Sequence, residues 1–279
     1  SKSNECHEFW ETMTWPEMMA RIVDEDLQCR SGKGTNRSRS TSYERTWDLG
    51  AGWEGALELA ESGWNEEAHI FKLKNDALLT NIRPEYIYDY SGDEVDVDRF
   101  LGGEPECFLA PIMGETQGIK PIINLVINLS VYHYIKAETI QRRGKMVMGL
   151  LDILEKSGKA VALHVCTHLT QGSWSFVQVK GAYDYAHPSR LAFALTHPAM
   201  PRRLFFRIKE QWPEKAFSKI NSSYGNPYTD NKLPKQNPFP SWVDFYFPSL
   251  SDEDKYGTDQ AAQAELRRIM KEMFKLELE

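Results

Sequence analysis

His164, Cys166 and His168 stand at alternate positions, so on a strand they share one face, where two imidazoles and a thiolate could bind zinc. The set supplies three ligands at a spacing unlike a familiar zinc motif. Its plainer reading is a buried Cys166 with histidines near a strand end, where parallel sheets place ligand sites. Asp89, Asp93, Glu94, Asp96 and Asp98 offer hard oxygen donors, but the Gly and the closing Glu of a calcium loop do not fall at the required offsets. A solvated acidic face, paired with basic residues of the same chain, is the simpler expectation there. We therefore expect no bound metal and no cofactor. Gly32-Lys33-Gly34-Thr35 holds fragments of a phosphate loop without completing it, and GxSxG, HExxH and kinase signatures are missing from the sequence. The expected role is not an enzymatic one.

The remaining chemistry is cationic and aromatic. Residues 28–47 hold Arg30, Lys33, Arg37, Arg39 and Arg45 against Glu44 alone, among Gly and Ser with no apolar periodicity. Such a segment has no core of its own and either stays solvated or folds onto a partner. Cations of this kind bind phosphates through counterion release, and the ring of Tyr43 could stack on an unpaired base. Arg142, Arg143 and Lys145, followed by Arg202, Arg203 and Arg207, add charge further along the chain. The candidate nucleic-acid-binding set is Arg30, Lys33, Arg37, Arg39, Tyr43, Arg45, Arg142, Arg143, Lys145, Arg202 and Arg203. The competing reading pairs Arg142 with Glu138 four residues earlier, and Arg202-Arg203 with acids across a strand.

The elements that must position these groups follow from periodicity. Residues 121–130 are nearly continuous in apolar character, the mark of a strand buried on both faces. A helix over 138–157 carries Ile140, Val147, Leu151 and Leu154 at helical spacing and stops at Ser157-Gly158; 159–168 then reads as a second strand. Together they predict a βαβ unit. Upstream, Pro16 opens a helix to about residue 26, and Trp53, Leu57 and Ala60 share one face of a helix stopped by Gly63. Residues 85–110 suggest two short strands around a loop. Downstream the pattern predicts a strand at 174–180, a helix at 188–196, a strand at 204–208, a long irregular loop at 221–241 and an edge strand at 242–247. A final amphipathic helix at 259–276 aligns Leu266, Ile269, Met270, Met273 and Phe274.

Composition bounds the class. Of 279 residues, 41% are hydrophobic and 26% charged, and the net charge is -7, so global disorder and fibrous architecture are excluded. No apolar run approaches the ~20 residues that cross a bilayer, and the polar N-terminus resembles no targeting segment, so a soluble cytoplasmic protein without membrane partners is expected. Cys6, Cys29, Cys107 and Cys166 are scattered without CxxC spacing, which argues for reduced thiols.

Several motifs occur in an order that resembles a family of uncharacterised proteins encoded by tailed bacteriophages. They are Arg37-Ser38-Arg39-Ser40-Thr41-Ser42-Tyr43, the Gly52-Trp53-Glu54-Gly55 helix with Gly63-Trp64, Arg143-Gly144, and His197-Pro198 followed by Arg202-Arg203. The likeness spans about 35–210 and carries no activity to transfer. The middle of the chain also resembles a von Willebrand factor A type domain, whose metal site needs Asp-x-Ser-x-Ser after the first strand. Asn128-Leu129-Ser130 stands there instead, which implies that the metal-dependent adhesion site is missing.

The reading is an α/β protein with a von Willebrand A-like or Rossmann-like core at 105–210. An N-terminal region at 1–104 and a C-terminal segment at 211–279 should pack on it. The expected function is a phage-encoded nucleic-acid-binding accessory factor, favouring single-stranded DNA, in phage transcription or replication. The alternative is a non-catalytic module that binds a phage RNA polymerase or a host factor through exposed aromatics, host-defence inhibition included.

Overall fold

The structure is a computed structural model that describes residues 9–24, 47–65, 86–91, 94–111, 122–169, 173–185, 187–217, 241–251 and 254–274. Its first strand, β1 (Phe9–Thr14), leads directly into α1 (Trp15–Val23). Thr14 and Glu17 form a reciprocal capping box, Pro16 fits the first turn, and Trp15, Met18 and Ile22 turn inward. Helix α2 (Gly52–Ser62) buries Ala56 and Ala60, with Trp53 and Leu57 packed against the same core. Gly63 ends it at φ +81, where the N–H returns to Leu59 O at 2.9 Å and a Cβ would meet Ser189 at 2.5 Å.

Residues 86–111 form a small antiparallel sheet. Its strands are β2 (Tyr86–Asp89), β3 (Glu94–Val95) and β4 (Phe108–Pro111), in the order β2-β4-β3, with the short helix α3 (Val97–Leu101) between the last two. The expected pair of strands is thus three, because β4 pairs with both partners at once.

The main sheet is built around β5 (Ile122–Asn128), α4 (Ala137–Lys156) and β6 (Ala160–Leu169). β5 and β6 run parallel in register from Ile122↔Ala160 to Asn128↔Cys166, as the βαβ pattern requires. Ile140, Val147, Leu151 and Leu154 are all buried. Gly158, at φ +82, stops α4 by letting its own N–H reach Glu155 O and that of Lys159 reach Leu154 O. β6 then pairs antiparallel with β7 (Ser173–Lys180), and β7 pairs parallel with β1. After α5 (Pro188–Thr196) comes a π-helical turn (Met200–Leu204) that runs into α6 (Phe205–Glu210), followed by the short α7 (Glu214–Phe217). β8 (Phe245–Phe247) adds a parallel edge beside β5, and α8 (Asp259–Phe274) follows. The sheet order is β1-β7-β6-β5-β8, a mostly parallel α/β arrangement.

Two sequence expectations change. The strand expected at 204–208 is helical, because Leu204, Phe205, Ile208 and Trp212 form a buried stripe at helical rather than alternate spacing. The sheet also draws β1 from the 1–104 region, where no strand was expected before α1, so that region completes the core, while β8 is the edge strand expected at 242–247. The irregular loop expected at 221–241 lies almost wholly outside the described residues.

The sheet has two unlike faces. Leu125, Ile127, Val161, Leu163, Val165, Val177 and Val179 join residues of α1, α2, α4, α5, α6 and α8 in one apolar core. The other face gathers Val126, Cys166, Trp174 and Phe176, with Trp10, Trp242, Val243 and Tyr246 against them. Helix α4 meets α5 so closely that a Cβ on Gly144 would lie 2.3 Å from Leu195 O. Gly144→Ala should therefore cost about 1–3 kcal/mol through overpacking, read as a lower urea midpoint. Gly55→Ala, whose Cβ would meet only Ala51 at 3.5 Å, should be neutral or stabilise by up to ~1 kcal/mol. Equal effects of the two substitutions would refute the close approach.

Candidate functional site

In open α/β sheets ligands bind beyond the carboxyl ends of the strands. At that end of β5 the chain has turned its polar groups on itself. Asn128 donates its amide to Tyr246 O–H at 2.8 Å, and its Oδ1 accepts from Ser130 N at 2.9 Å. Ser130 Oγ lies 3.2 Å from Thr167 Oγ1 and accepts from His168 N at 3.1 Å. Arg143 reaches in from α4 to donate to Asn128 O at 2.9 Å and to Pro248 O at 2.6 Å. The carboxyl end of β5 is thus occupied by a closed hydrogen-bond network joining β5, β6, β8 and α4.

His164, Cys166 and His168 do share a face of β6, as their spacing predicts. Positions four apart on a strand are about 13 Å apart, however, and the two rings turn to different indoles. His168 lies flat on Trp174 with centroids 3.8 Å apart, whereas His164 tilts against Trp242 at 4.8 Å. Trp10, Trp174 and Phe176 extend the stack across β1 and β7. Among the described residues no group of three His, Cys, Asp or Glu is arranged to hold a metal ion. Burial sets the proton chemistry of this face. It pushes His164 down to about 4 and His168 down to about 3, and it drives the Cys166 thiol well above its ordinary value, where it is a poor nucleophile.

The basic residues divide into three groups. Arg30, Lys33, Arg37, Arg39, Tyr43 and Arg45 lie outside the described residues. Arg143, Arg202 and Arg203 are buried, so the expectation that they meet phosphates gives way to a role inside the fold. Arg202 donates to Trp47 O and, at 2.7 Å, to Ile135 O; Arg203 Nε bonds Asp48 Oδ2 at 2.8 Å. Asp48 also accepts from Gly50 N and Gly52 N, and the Trp47 ring lies 5.3 Å from each guanidinium. An acid partner for Arg203 was the competing sequence reading, although it arrives from before α2 rather than across a strand. The third group is half-buried. Arg142 donates to Gly257 O at 2.8 Å and pairs with Asp259 at 3.3 Å instead of with Glu138, and Lys145 sits three residues further along α4.

A different surface stands out at 86–111. Ile87, Tyr88, Tyr90, Val95, Val97, Phe100 and Leu101 are all exposed, with Leu101 at 77% and Phe100 at 59%. Val97, Phe100 and Leu101 occupy one side of α3, the i, i+3, i+4 set that usually faces a core. Polar contacts hold that helix with its apolar side outward. Asp96 caps it by accepting from Asp98 N and Arg99 N, and Tyr88 O–H donates to the same carboxylate at 3.0 Å. These bonds, the Arg99 backbone first, keep Asp96 below the usual carboxylate range. Arg99 lies 3.7 Å above the Tyr88 ring and pairs with Glu104 at 3.1 Å. Sequence reasoning singled out the carboxylates here and passed over the apolar residues between them, although the spacing of 97, 100 and 101 carried the signal.

The match that decides kinship covers 4–277 and is to a family model described as a domain of unknown function, DUF7192. The chain belongs to the DUF7192 family. Searches of curated proteins and of solved structures return no significant match. No helix among the described residues of this DUF7192 chain is long and apolar enough to cross a membrane.

Two outcomes test the geometry of the DUF7192 chain. Arg203→Ala leaves Asp48 buried without its cation and should cost about 3–5 kcal/mol in urea unfolding, whereas Arg142→Ala should cost about 1 kcal/mol or less. Comparable losses would contradict the buried Arg203–Asp48 pair. The depressed histidines bind fewer protons folded than unfolded, so their contribution is complete above pH ~6.5 and lost as pH falls toward about 4. His164→Phe keeps a ring against Trp242 and removes one titrating site, so the stability lost between pH 7.5 and pH 5 should shrink by about 1–2 kcal/mol. An unchanged loss would mean that His164 is solvated in the fold.

Proposed function

We propose that this chain is a non-catalytic interaction module that docks a protein partner on the acidic, apolar unit at 86–111. The observation that supports this reading is the outward side of α3, where Val97, Phe100 and Leu101 meet solvent, in a unit that also exposes Ile87 and Tyr88. Large apolar side chains grouped on an exposed surface mark binding sites in folded proteins. The resemblance to tailed-phage proteins supplies the partner class: a phage RNA polymerase or a host factor, met in the cytoplasm of an infected bacterium. In the same reading, the β5–α4–β6 unit derives from a von Willebrand A-like or Rossmann-like core whose metal-site Asp has become Asn128. Carbodiimide coupling of carboxylates to partner lysines tests the docking surface. Peptides carrying Asp98 or Glu104 should be joined to one partner protein in infected cells, and Phe100→Ser with Leu101→Ser should abolish the adducts without lowering thermal stability. Adducts that persist in the double variant would rule the surface out.

A second reading, binding of single-stranded DNA through residues 28–47, is supported by the five cations that stand there against Glu44 alone. Fluorescence anisotropy against single-stranded and duplex oligonucleotides separates the two. If the segment binds, replacing Arg37, Arg39 and Arg45 with Ala should flatten the salt slope by about two units, at ~0.7 per phosphate contact. Tyr43→Ala should reduce the preference for single strands and leave the slope nearly unchanged. No binding to either form at low salt would end this reading.

A further inference from the structure

The charge around the outward side of α3 specifies what can cover it. Residues 86–111 contain Asp89, Asp93, Glu94, Asp96, Asp98, Glu104 and Glu106 against one cation, Arg99. Arg99 is already committed to Glu104, to the Tyr88 ring and to Glu106 O at 3.3 Å. Asp98, which neighbours Val97 and Leu101 on α3, and Glu104 and Glu106, which follow the helix, are exposed. A second copy of this chain would bring one such acidic unit against another, and like charges placed opposite each other at an interface oppose association. A neutral apolar partner would desolvate these carboxylates without pairing them.

We infer that the occupant is a heterologous protein segment in which an apolar ridge is flanked by Lys or Arg. This rests on the interaction reading above and adds the chemistry of the partner. The apolar ridge covers Val97, Phe100 and Leu101, and the flanking cations meet Asp98 and Glu106. The two contributions separate experimentally. Apolar contact governs how long the complex lasts, whereas the flanking charge governs selectivity and salt dependence.

The probes are short fluorescent amphipathic peptides with the same Leu and Phe ridge, flanked either by Lys or by Glu, titrated against the full chain. The expected result is that the Lys-flanked peptide binds about tenfold more tightly than the Glu-flanked one, that salt erases the difference, and that Phe100→Ser with Leu101→Ser abolishes both. Equal binding of the two peptides, lost in the double variant, would overturn the charge inference while leaving the interaction surface standing. Binding of the Lys-flanked peptide that survives the double variant would reduce it to general attraction by an acidic protein and overturn it. Sedimentation showing a dimer that the double variant dissolves would assign the surface to a second copy and also overturn it. If no peptide binds and the chain stays monomeric, both the inference and the interaction reading fall.

Discussion

Buried guanidinium groups impose the constraint on which the rest of this fold depends. Arg143, Arg202, Arg203 and Arg207 are each taken out of water, and a guanidinium has five N–H donors that must find acceptors there. Most of those acceptors are main-chain carbonyls at places where regular structure has ended. Arg143 joins the end of β5 to Pro248 after β8, Arg202 joins Trp47 to Ile135, and Arg207 joins the π-helix side of the molecule to Ile22 and Asp24 at the end of α1. Arg143, Arg202 and Arg207 thus satisfy carbonyls that no ladder or helix satisfies, Arg203 meets the Asp48 carboxylate, and each pins a chain crossing to the helical layer. The sheet can then recruit β1 from near the N-terminal side and β8 from near the C-terminal side although neither belongs to the central βαβ unit.

The same constraint shapes the polar interior beside the sheet. With Arg143 engaged at Asn128 and Pro248, the region beyond β5 is occupied by bonds among Asn128, Ser130, Thr167, His168 and Tyr246. The sheet face turned away from the helical core is filled by indole, phenyl and imidazole rings whose burial keeps the histidines neutral. Polar residues that suggest catalysis or ligation when read singly are thereby engaged in holding strands and helices together. The closed network and the stacked rings are two ways of meeting one requirement, that polar atoms leaving water keep partners or lose charge.

Charge is consequently partitioned by depth. Several of the cations of an acidic chain sit inside it, so the small sheet at 86–111 shows solvent an excess of carboxylates together with large apolar side chains. That combination is the inverse of the core, where apolar groups are hidden and charge is paired. It is sustained by local polar bonds, the Asp96 cap and the Arg99 bracket between Tyr88 and Glu104, rather than by packing of α3 against the main core.

Local pattern in the sequence determined much of the scaffold. The apolar run at 122–128, the helical spacing from Ile140 to Leu154 and the glycine at 158 each act through neighbours a few residues away, so the βαβ unit was legible. So was the shared face of His164, Cys166 and His168, since alternation alone fixes it. The segment at 204–208 was misread because a short apolar run fits strand and helix alike, and only the buried stripe continuing to Trp212 decides between them. The fate of the arginines was not legible. Whether Arg203 meets phosphate or Asp48 depends on a contact between residues 155 apart in sequence, which no local pattern encodes. The outward side of α3 was hidden for the same reason: an i, i+3, i+4 apolar set specifies a face, and the tertiary arrangement alone determines whether that face meets a core or water.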